Sequence, residues 1–349
     1  MNESVLNKYG VNYTQKNYIT NPAIGRDKEI NEVLILLLDA EKSAILVGEP
    51  GVGKTAVVEG LAYRIKNGDV PLALQNTEII NVQTAALLGT TETGESKVQL
   101  LIKELKDKPN VILFIDEIHM LIGSTSETSL DFANIFKEGL GRGGIKIVGA
   151  TTNYEYEKYI LRDKAFVRRF QRVDISELDQ KSTVEVMKGT LKKIEEESMA
   201  KLKYTSYIQE QIFKFIVDIT SEYKRVYGLG SKYPDCSLTI LKLAFSYARF
   251  ENRKEVTIYD IENAIKNTKL IYDDVKEKSL PLFYETFKEI YKEEEGETTK
   301  EDEIEILDIT PEVTYTPSKI VIRKEARIKD NIVENKPLID RSIGIIREE

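Results

Sequence analysis

GEPGVGKT, residues 48–55, decides the fold of this chain because of what flanks it. Before it runs AILVG, residues 44–48, an apolar segment with the composition of a buried strand. After it runs AVVEGLAYRIK, which has helical spacing. A strand that breaks into glycines and re-forms as a helix is the setting of a phosphate-cradling loop. Gly48, Gly51 and Gly53 let successive backbone N–H groups curl around an anion, with Glu49, Pro50 and Val52 completing the turn. Lys54 then reaches the β- and γ-phosphates, and the Thr55 hydroxyl is a ligand for Mg²⁺ at a helix N-terminus. VILFIDE, residues 111–117, is a second buried-strand pattern, and it ends in two carboxylates. That arrangement puts Asp116 in the Mg²⁺ shell and Glu117 beside an attacking water. A strand-end acidic pair that merely starts the next helix is the competing reading, and the upstream loop weighs against it. Together the two segments predict binding and hydrolysis of ATP with Mg²⁺.

The chain has 349 residues, more than one core usually holds, so two or three units are expected. No charged-then-apolar leader opens it. Its longest aliphatic run, residues 33–38, is too short to span a bilayer, which predicts a soluble, cytoplasmic protein with no membrane partner. Cys236 is the one cysteine and His119 the one histidine, which rules out an internal disulfide and a Cys/His zinc site. His119 follows the acidic pair in DEIHMLIG and reads as helix packing rather than as a proton carrier.

The charges mark a boundary. The net charge is −8, yet residues 1–272 carry 37 acidic and 37 basic side chains, so the excess lies wholly in residues 273–349. Within that tail, residues 285–308 hold 11 acids against 3 bases, the composition of a solvated or disordered linker. Upstream, strand patterns at 44–47, 78–82, 111–115, 145–150 and 173–175 alternate with helical patterns near 29–40, 55–66, 96–106, 130–139 and 155–159. Alternation of this kind predicts an α/β unit over 1–178, a parallel sheet covered by helices with phosphates at the strand ends. From 179 to 272 the pattern is helical, at 181–193, 207–223, 237–250 and 258–267. It predicts a small all-helical lid, with Thr257 as the N-cap of its last helix.

Five further stretches join the loop in carrying a family resemblance: YGVNYT and NPAIGRDKEI ahead of it, then NVILFIDEIHMLIG, IVGATTNYEYEKYI and DKAFVRRFQRVDI. In order, and over residues 6–272, the chain resembles the first ATPase ring of the Clp family of AAA+ unfoldases and disaggregases, the ClpB/ClpC type. The resemblance implies that Ile24, Gly25 and Arg26 lie near the adenine and that Thr152 is a sensor orienting the lytic water. It also implies that Arg168 and Arg169 are arginine fingers directed at the γ-phosphate of the adjacent subunit. Pro234 and Asp235, in SKYPDCSLTI, resemble the segment that closes the lid on the nucleotide. The implied partners are other copies of the chain in a ring, hexameric in the family, and a protein client or adaptor. The neutral charge of residues 1–272 and their lack of interleaved aromatic and basic residues make nucleic acid an unlikely partner.

Departures from the family shape the functional expectation. The chain starts almost at the ATPase module, with neither a coiled-coil insertion nor a second phosphate loop after Asn267, so a direct protease partnership is in doubt. SIGII, residues 342–346, resembles an isoleucine-glycine docking tripeptide only faintly. Where the family's axial loop has an aromatic, residues 91–94 read TETG and put Glu92 there, without the large apolar face that grips a threaded backbone. Residues 123–129, a second channel-loop candidate, are small and polar. Two functions therefore stay open: a ring motor that remodels a protein partner, or an ATP-controlled assembly switch or scaffold, as in defence or mobile-element regulators. In the tail, EIEILDI at 303–309 and KIVIRKEARI at 319–328 alternate apolar and polar residues, either as a partner-docking arm that adds strands to another protein or as a solubilising tail.

Overall fold

A computed structural model describes residues 4–87, 90, 91, 94–122, 145–227 and 232–296. The expected helix at 130–139, Glu92 of the axial loop, the polar loop at 123–129, and the segments at 303–309, 319–328 and 342–346 lie outside these residues.

The α/β unit opens with α1 (Val5–Tyr9), β1 (Gly10–Asn12), α2 (Asp27–Leu38), β2 (Ser43–Val47), α3 (Lys54–Lys66) and β3 (Glu78–Val82). There follow α4 (Thr84–Leu87), α5 (Lys97–Lys106), β4 (Val111–Ile115), α6 (His119–Ile122) and β5 (Lys146–Thr151). α7 (Asn153–Glu155) runs on as a π-helical turn over Tyr156–Ile160, and α8 (Lys164–Val167) leads into β6 (Phe170–Asp174). The six strands order as β1-β3-β4-β5-β2-β6. All neighbours are parallel except β1, which runs antiparallel along β3 with Val11 opposite Asn81. The central strands are apolar on both faces, as a helix-covered parallel sheet requires. Along β2, Ala44 and Leu46 pack with Val33, Leu37, Val57 and Leu61 on the face covered by α2 and α3. Ile45 and Val47 join Leu101, Leu113, Phe166 and Phe170 on the other face. Two features escape the sequence patterns. β1 is a three-residue edge strand, too short to show a period, and β6 starts at Phe170 because Phe170 stacks flat on Phe166, with ring centroids 4.1 Å apart.

Beyond Ile175 lies a helical body of α9 (Gln180–Ser198), α10 (Ser206–Ile219), α11 (Asp235–Phe250) and α12 (Ile258–Asn267). α12 begins with a capping box between Thr257 and Asp260. Two ties among its described residues are not helical: β7 (Lys201–Leu202) pairs in parallel with β8 (Glu255–Val256), and Arg225 bridges Ile271 antiparallel. The larger departure is at the C-terminal side. Residues 273–296, expected to be the start of an acidic linker, form α13 (Asp273–Thr286) and α14 (Lys288–Glu294). Phe283, Phe287, Ile290 and Tyr291 are buried in the same core as Ile212, Phe213, Ile240 and Phe245. These four recur at helical spacing, and the acids that dominate the composition occupy the outward positions, so a charge count over the stretch hides its apolar stripe. No helix among the described residues is long and apolar enough to cross a membrane.

Candidate functional site

The loop after β2 turns at Gly51 (φ +80°) and again at Gly53 (φ +98°), a left-handed conformation that glycine adopts without a Cβ clash. Gly53 is the N-cap of α3 and has no side chain to cap with, so the first-turn N–H groups of the helix are left without a side-chain acceptor. Lys54 folds back onto the loop, where its ammonium donates to the carbonyls of Gly48 (2.8 Å) and Glu49 (3.1 Å). Burial lowers its pKa against the opposing pull of Asp116, Glu155, Glu49 and Glu117. Thr55 Oγ1 donates to Asp116 Oδ2 at 3.3 Å. A hydroxyl beside a carboxylate at the mouth of an anion-binding loop is an all-oxygen donor set of the kind Mg²⁺ takes while keeping phosphate and water in its remaining positions. The residues present therefore fit Mg²⁺ with a nucleotide phosphate chain.

β4 delivers the two carboxylates to this loop. Thr84 donates to the Asp116 carbonyl (2.5 Å), and Asp116 Oδ1 accepts the Glu117 N–H (3.0 Å). Glu117 itself is exposed at φ +52°, a left-handed backbone that a non-glycine residue holds only under restraint. The restraint is visible on its far side, where the Ile118 N–H bonds to the Ala150 carbonyl of β5 (3.1 Å). Thr152 caps α7: its hydroxyl accepts from the Glu155 N–H and donates to Glu155 Oε2 at 2.8 Å.

Ile24 and Gly25 precede α2, and Ile24 packs so closely on α9 that a Cβ on Gly189 would fall 1.9 Å from Ile24 Cδ1. Arg26 is buried behind the phosphate loop, donating to the carbonyls of Val52 (2.6 Å) and Ser176 (2.8 Å) and to Glu29 (2.7 Å). Its two Nη atoms are engaged by these acceptors, so it braces the loop from behind, while its Nε is buried with no hydrogen-bond partner among the described residues. Asp235, at the start of α11, abuts the loop, with its Cβ and carboxylate against the space above Gly51. Arg168 and Arg169 are apart from all of these. They precede β6, whose first residue pairs with Ser43, whereas the phosphate loop follows Val47 at the other end of β2. Five residues of strand, roughly 16 Å, separate the two ends.

Residues 44–178 match the model of the ATPase family associated with various cellular activities (AAA). Over 240 residues the chain is 42% identical to the chaperone protein ClpB of Aquifex aeolicus, covering 67% of this chain and 23% of that one. The chain carries a Clp-type AAA ATPase module. It is also 42% identical over 232 residues to the ATP-binding subunit ClpL of the Clp protease of Staphylococcus aureus, 64% of this chain and 32% of that one. The S. cerevisiae Hsp104:casein complex in its extended conformation superposes with a TM-score of 0.64 at 31% identity, covering 75% of this chain and 45% of that chain. The chain thus spans less than half the length of each of these relatives.

Sequence patterns leave out several residues that shape the module's site. Asn153 donates to Glu49 Oε1 of the phosphate loop (3.2 Å) and accepts from Arg172 (3.0 Å), a polar chain from β6 to the loop. Glu177 follows β6 and gathers Arg225, the Tyr233 N–H (2.8 Å) and Lys232 (3.6 Å), all shortly before Asp235. None of these belongs to a spaced motif, and their links, which cross from 19 to 104 residues of chain, give no local signal.

Proposed function

We propose that this Clp-type module hydrolyses ATP within a ring of identical chains and couples turnover to remodelling of a protein partner. The observation that carries the reading is the separation of Arg168 and Arg169 from the phosphate loop of their own chain. A span of roughly 16 Å is beyond the reach of an arginine side chain, so these arginines act on a nucleotide only if it belongs to a neighbour.

In this reading the first-turn N–H groups of α3 and the Lys54 ammonium hold the phosphate chain, and Lys54 exchanges its loop carbonyls for phosphate oxygens. Thr55 and Asp116 would hold Mg²⁺, which supplies neutralisation of phosphate charge. Glu117 takes a proton from the attacking water, and Thr152 orients that water. Ile24 and Gly25 flank the base, Arg26 stiffens the loop from behind, and Asp235 closes the helical body over Gly51. Arg168 and Arg169 stabilise charge spreading over the transferred phosphoryl oxygens of the adjacent chain. We place the nucleotide-binding unit at 1–178 and extend the lid from 179 to 296, because α13 and α14 share its core.

The casein bound to Hsp104 in the superposed structure supports a protein as the thing remodelled. Glu92, where the family carries an aromatic, favours a second reading in which ATP controls assembly without threading. Turnover measured with and without an unfolded protein such as casein separates the two. Stimulation supports the motor; slow, unstimulated turnover with ATP-dependent assembly supports the switch and overturns remodelling.

A further inference from the structure

The turn that starts at Thr152 is held by a cluster of side chains from the end of β5, α6 and α7. Glu155 Oε2 is the collecting point: the Thr152 hydroxyl (2.8 Å), the Thr152 N–H (3.0 Å) and the Thr151 hydroxyl (3.1 Å) all donate to it, and His119 Nδ1 lies 3.2 Å away. The Thr151 hydroxyl has one proton and gives it to Glu155. At its 3.1 Å contact with His119 it is therefore the acceptor, and Nδ1 is the donor. The imidazole is fixed by stacking on Tyr159, with centroids 6.1 Å apart and planes 17° from parallel. Burial would raise the Glu155 pKa, but the Thr152 amide and hydroxyl, His119 and the Thr151 hydroxyl outweigh it and hold the group ionised, as an acceptor of the three threonine protons must be.

His119 opens the helix two residues after Glu117, and Glu155 closes the turn three residues after Thr152. We propose that His119 and Glu155 are positioning residues that lock Thr152 to the Glu117 segment and make Thr152 Oγ1 an acceptor toward the attacking water. The proposal rests on the roles given above to Glu117 and Thr152. The Thr152 proton is committed to Glu155, so the hydroxyl has only a lone pair to offer. Two acceptors, Glu117 and Thr152, then take the two hydrogens of one water and leave its own lone pair directed at the phosphorus.

The test measures kcat for ATP and, separately, Kd for ADP in His119→Phe, which keeps the stacking ring but loses the N–H donor, in Glu155→Gln, and in His119→Asn, which restores a donor. The expected result is a fall of about tenfold in kcat for the first two, Kd for ADP within about twofold of wild type, and recovery to within about threefold in His119→Asn. Glu117→Gln and Thr152→Val run alongside. If these two keep wild-type turnover, the site assignment fails and the proposal fails with it. If they lose turnover while His119→Phe and Glu155→Gln keep it, the positioning proposal alone is overturned. Parallel loss of kcat and ADP affinity, or no recovery in His119→Asn, also overturns it, since a group that acts only on the water spares ground-state binding. Should Glu155→Gln not fold, the two His119 variants decide.

Discussion

Glu117 sits at φ +52° with its side chain in solvent, so nothing in packing explains its conformation and the cost of the left-handed backbone, on the order of 1 kcal/mol, is borne for placement. Glu117→Gly is expected to abolish turnover while leaving the fold as stable or more stable by up to about 1 kcal/mol, measured by urea denaturation. A clear loss of stability would mean that the carboxylate is structural. Glu117→Gln and Lys54→Ala should separate along a different axis. In the proposed site Lys54 acts on phosphate charge that is present before reaction, so its loss should weaken nucleotide binding by about tenfold to a hundredfold in a direct titration. Glu117 in that site acts on the water, so its amide should keep nucleotide affinity and lower kcat by about a hundredfold or more. Equal affinity of wild type and Lys54→Ala would remove Lys54 from the site. Both residues are legible in the sequence, because a phosphate loop needs its glycines, its lysine and its hydroxyl at fixed offsets on one continuous turn. Glu155 and His119 are not legible in that way. Glu155 stands in a local capping pattern with Thr152, but its link to His119 joins the ends of β4 and β5 with no fixed spacing, and His119 alone reads as helix packing.

Among the elements, the buried strands and the helices of the lid follow from apolar periodicity. What periodicity misses is decided by pairing or packing between segments: β1, which exists only against β3, and α13 with α14, whose acids conceal a stripe of buried aromatics. A chain ending at 272 should therefore lose the helical body, whereas one ending at 296 should keep it, because Phe283 and Phe287 are wholly buried and each is worth about 3–5 kcal/mol against truncation to alanine. Thermal unfolding of the two truncations checks this, and equal melting temperatures would show that α13 and α14 contribute nothing. The junction between sheet and helical body depends instead on one carboxylate. Burial would raise the Glu177 pKa, but Arg225, the Tyr233 N–H and Lys232 together hold it below the ordinary value of 4.5. A folded pKa below the unfolded one contributes stability that is complete above that ordinary value and is lost as pH falls through the folded one. Glu177→Gln, which removes the carboxylate paired with the buried Arg225, should destabilise by about 2 kcal/mol at pH 7. It should also flatten the loss of melting temperature as pH falls below the ordinary value of 4.5. Identical acid profiles for the two proteins would place the acid sensitivity elsewhere.

For the whole molecule, the decisive geometry is that one chain holds its phosphate loop and its arginine pair at opposite ends of the same two strands. In the proposed ring a complete site would take the loop, Asp116 and Glu117 from one copy and Arg168 with Arg169 from the next, arranged head to tail. Specific activity should rise with protein concentration, and Arg168→Ala/Arg169→Ala should lower turnover by about a thousandfold without changing the melting temperature. A mixing experiment is more stringent. In the proposed site Glu117→Gln should be inactive because it cannot activate water, and the arginine variant should be inactive because it completes no neighbour's site, yet the two defects would fall on different halves of a composite site. In an equimolar mixed assembly, about a quarter of the sites pair an intact Glu117 with an intact arginine donor, so the mixture should recover about a quarter of wild-type turnover. If both arginines served their own chain's nucleotide, every site would carry one defect or the other and no mixture could recover. A mixture no more active than its two components, under conditions where light scattering shows mixed oligomers, would overturn the shared site and the ring with it.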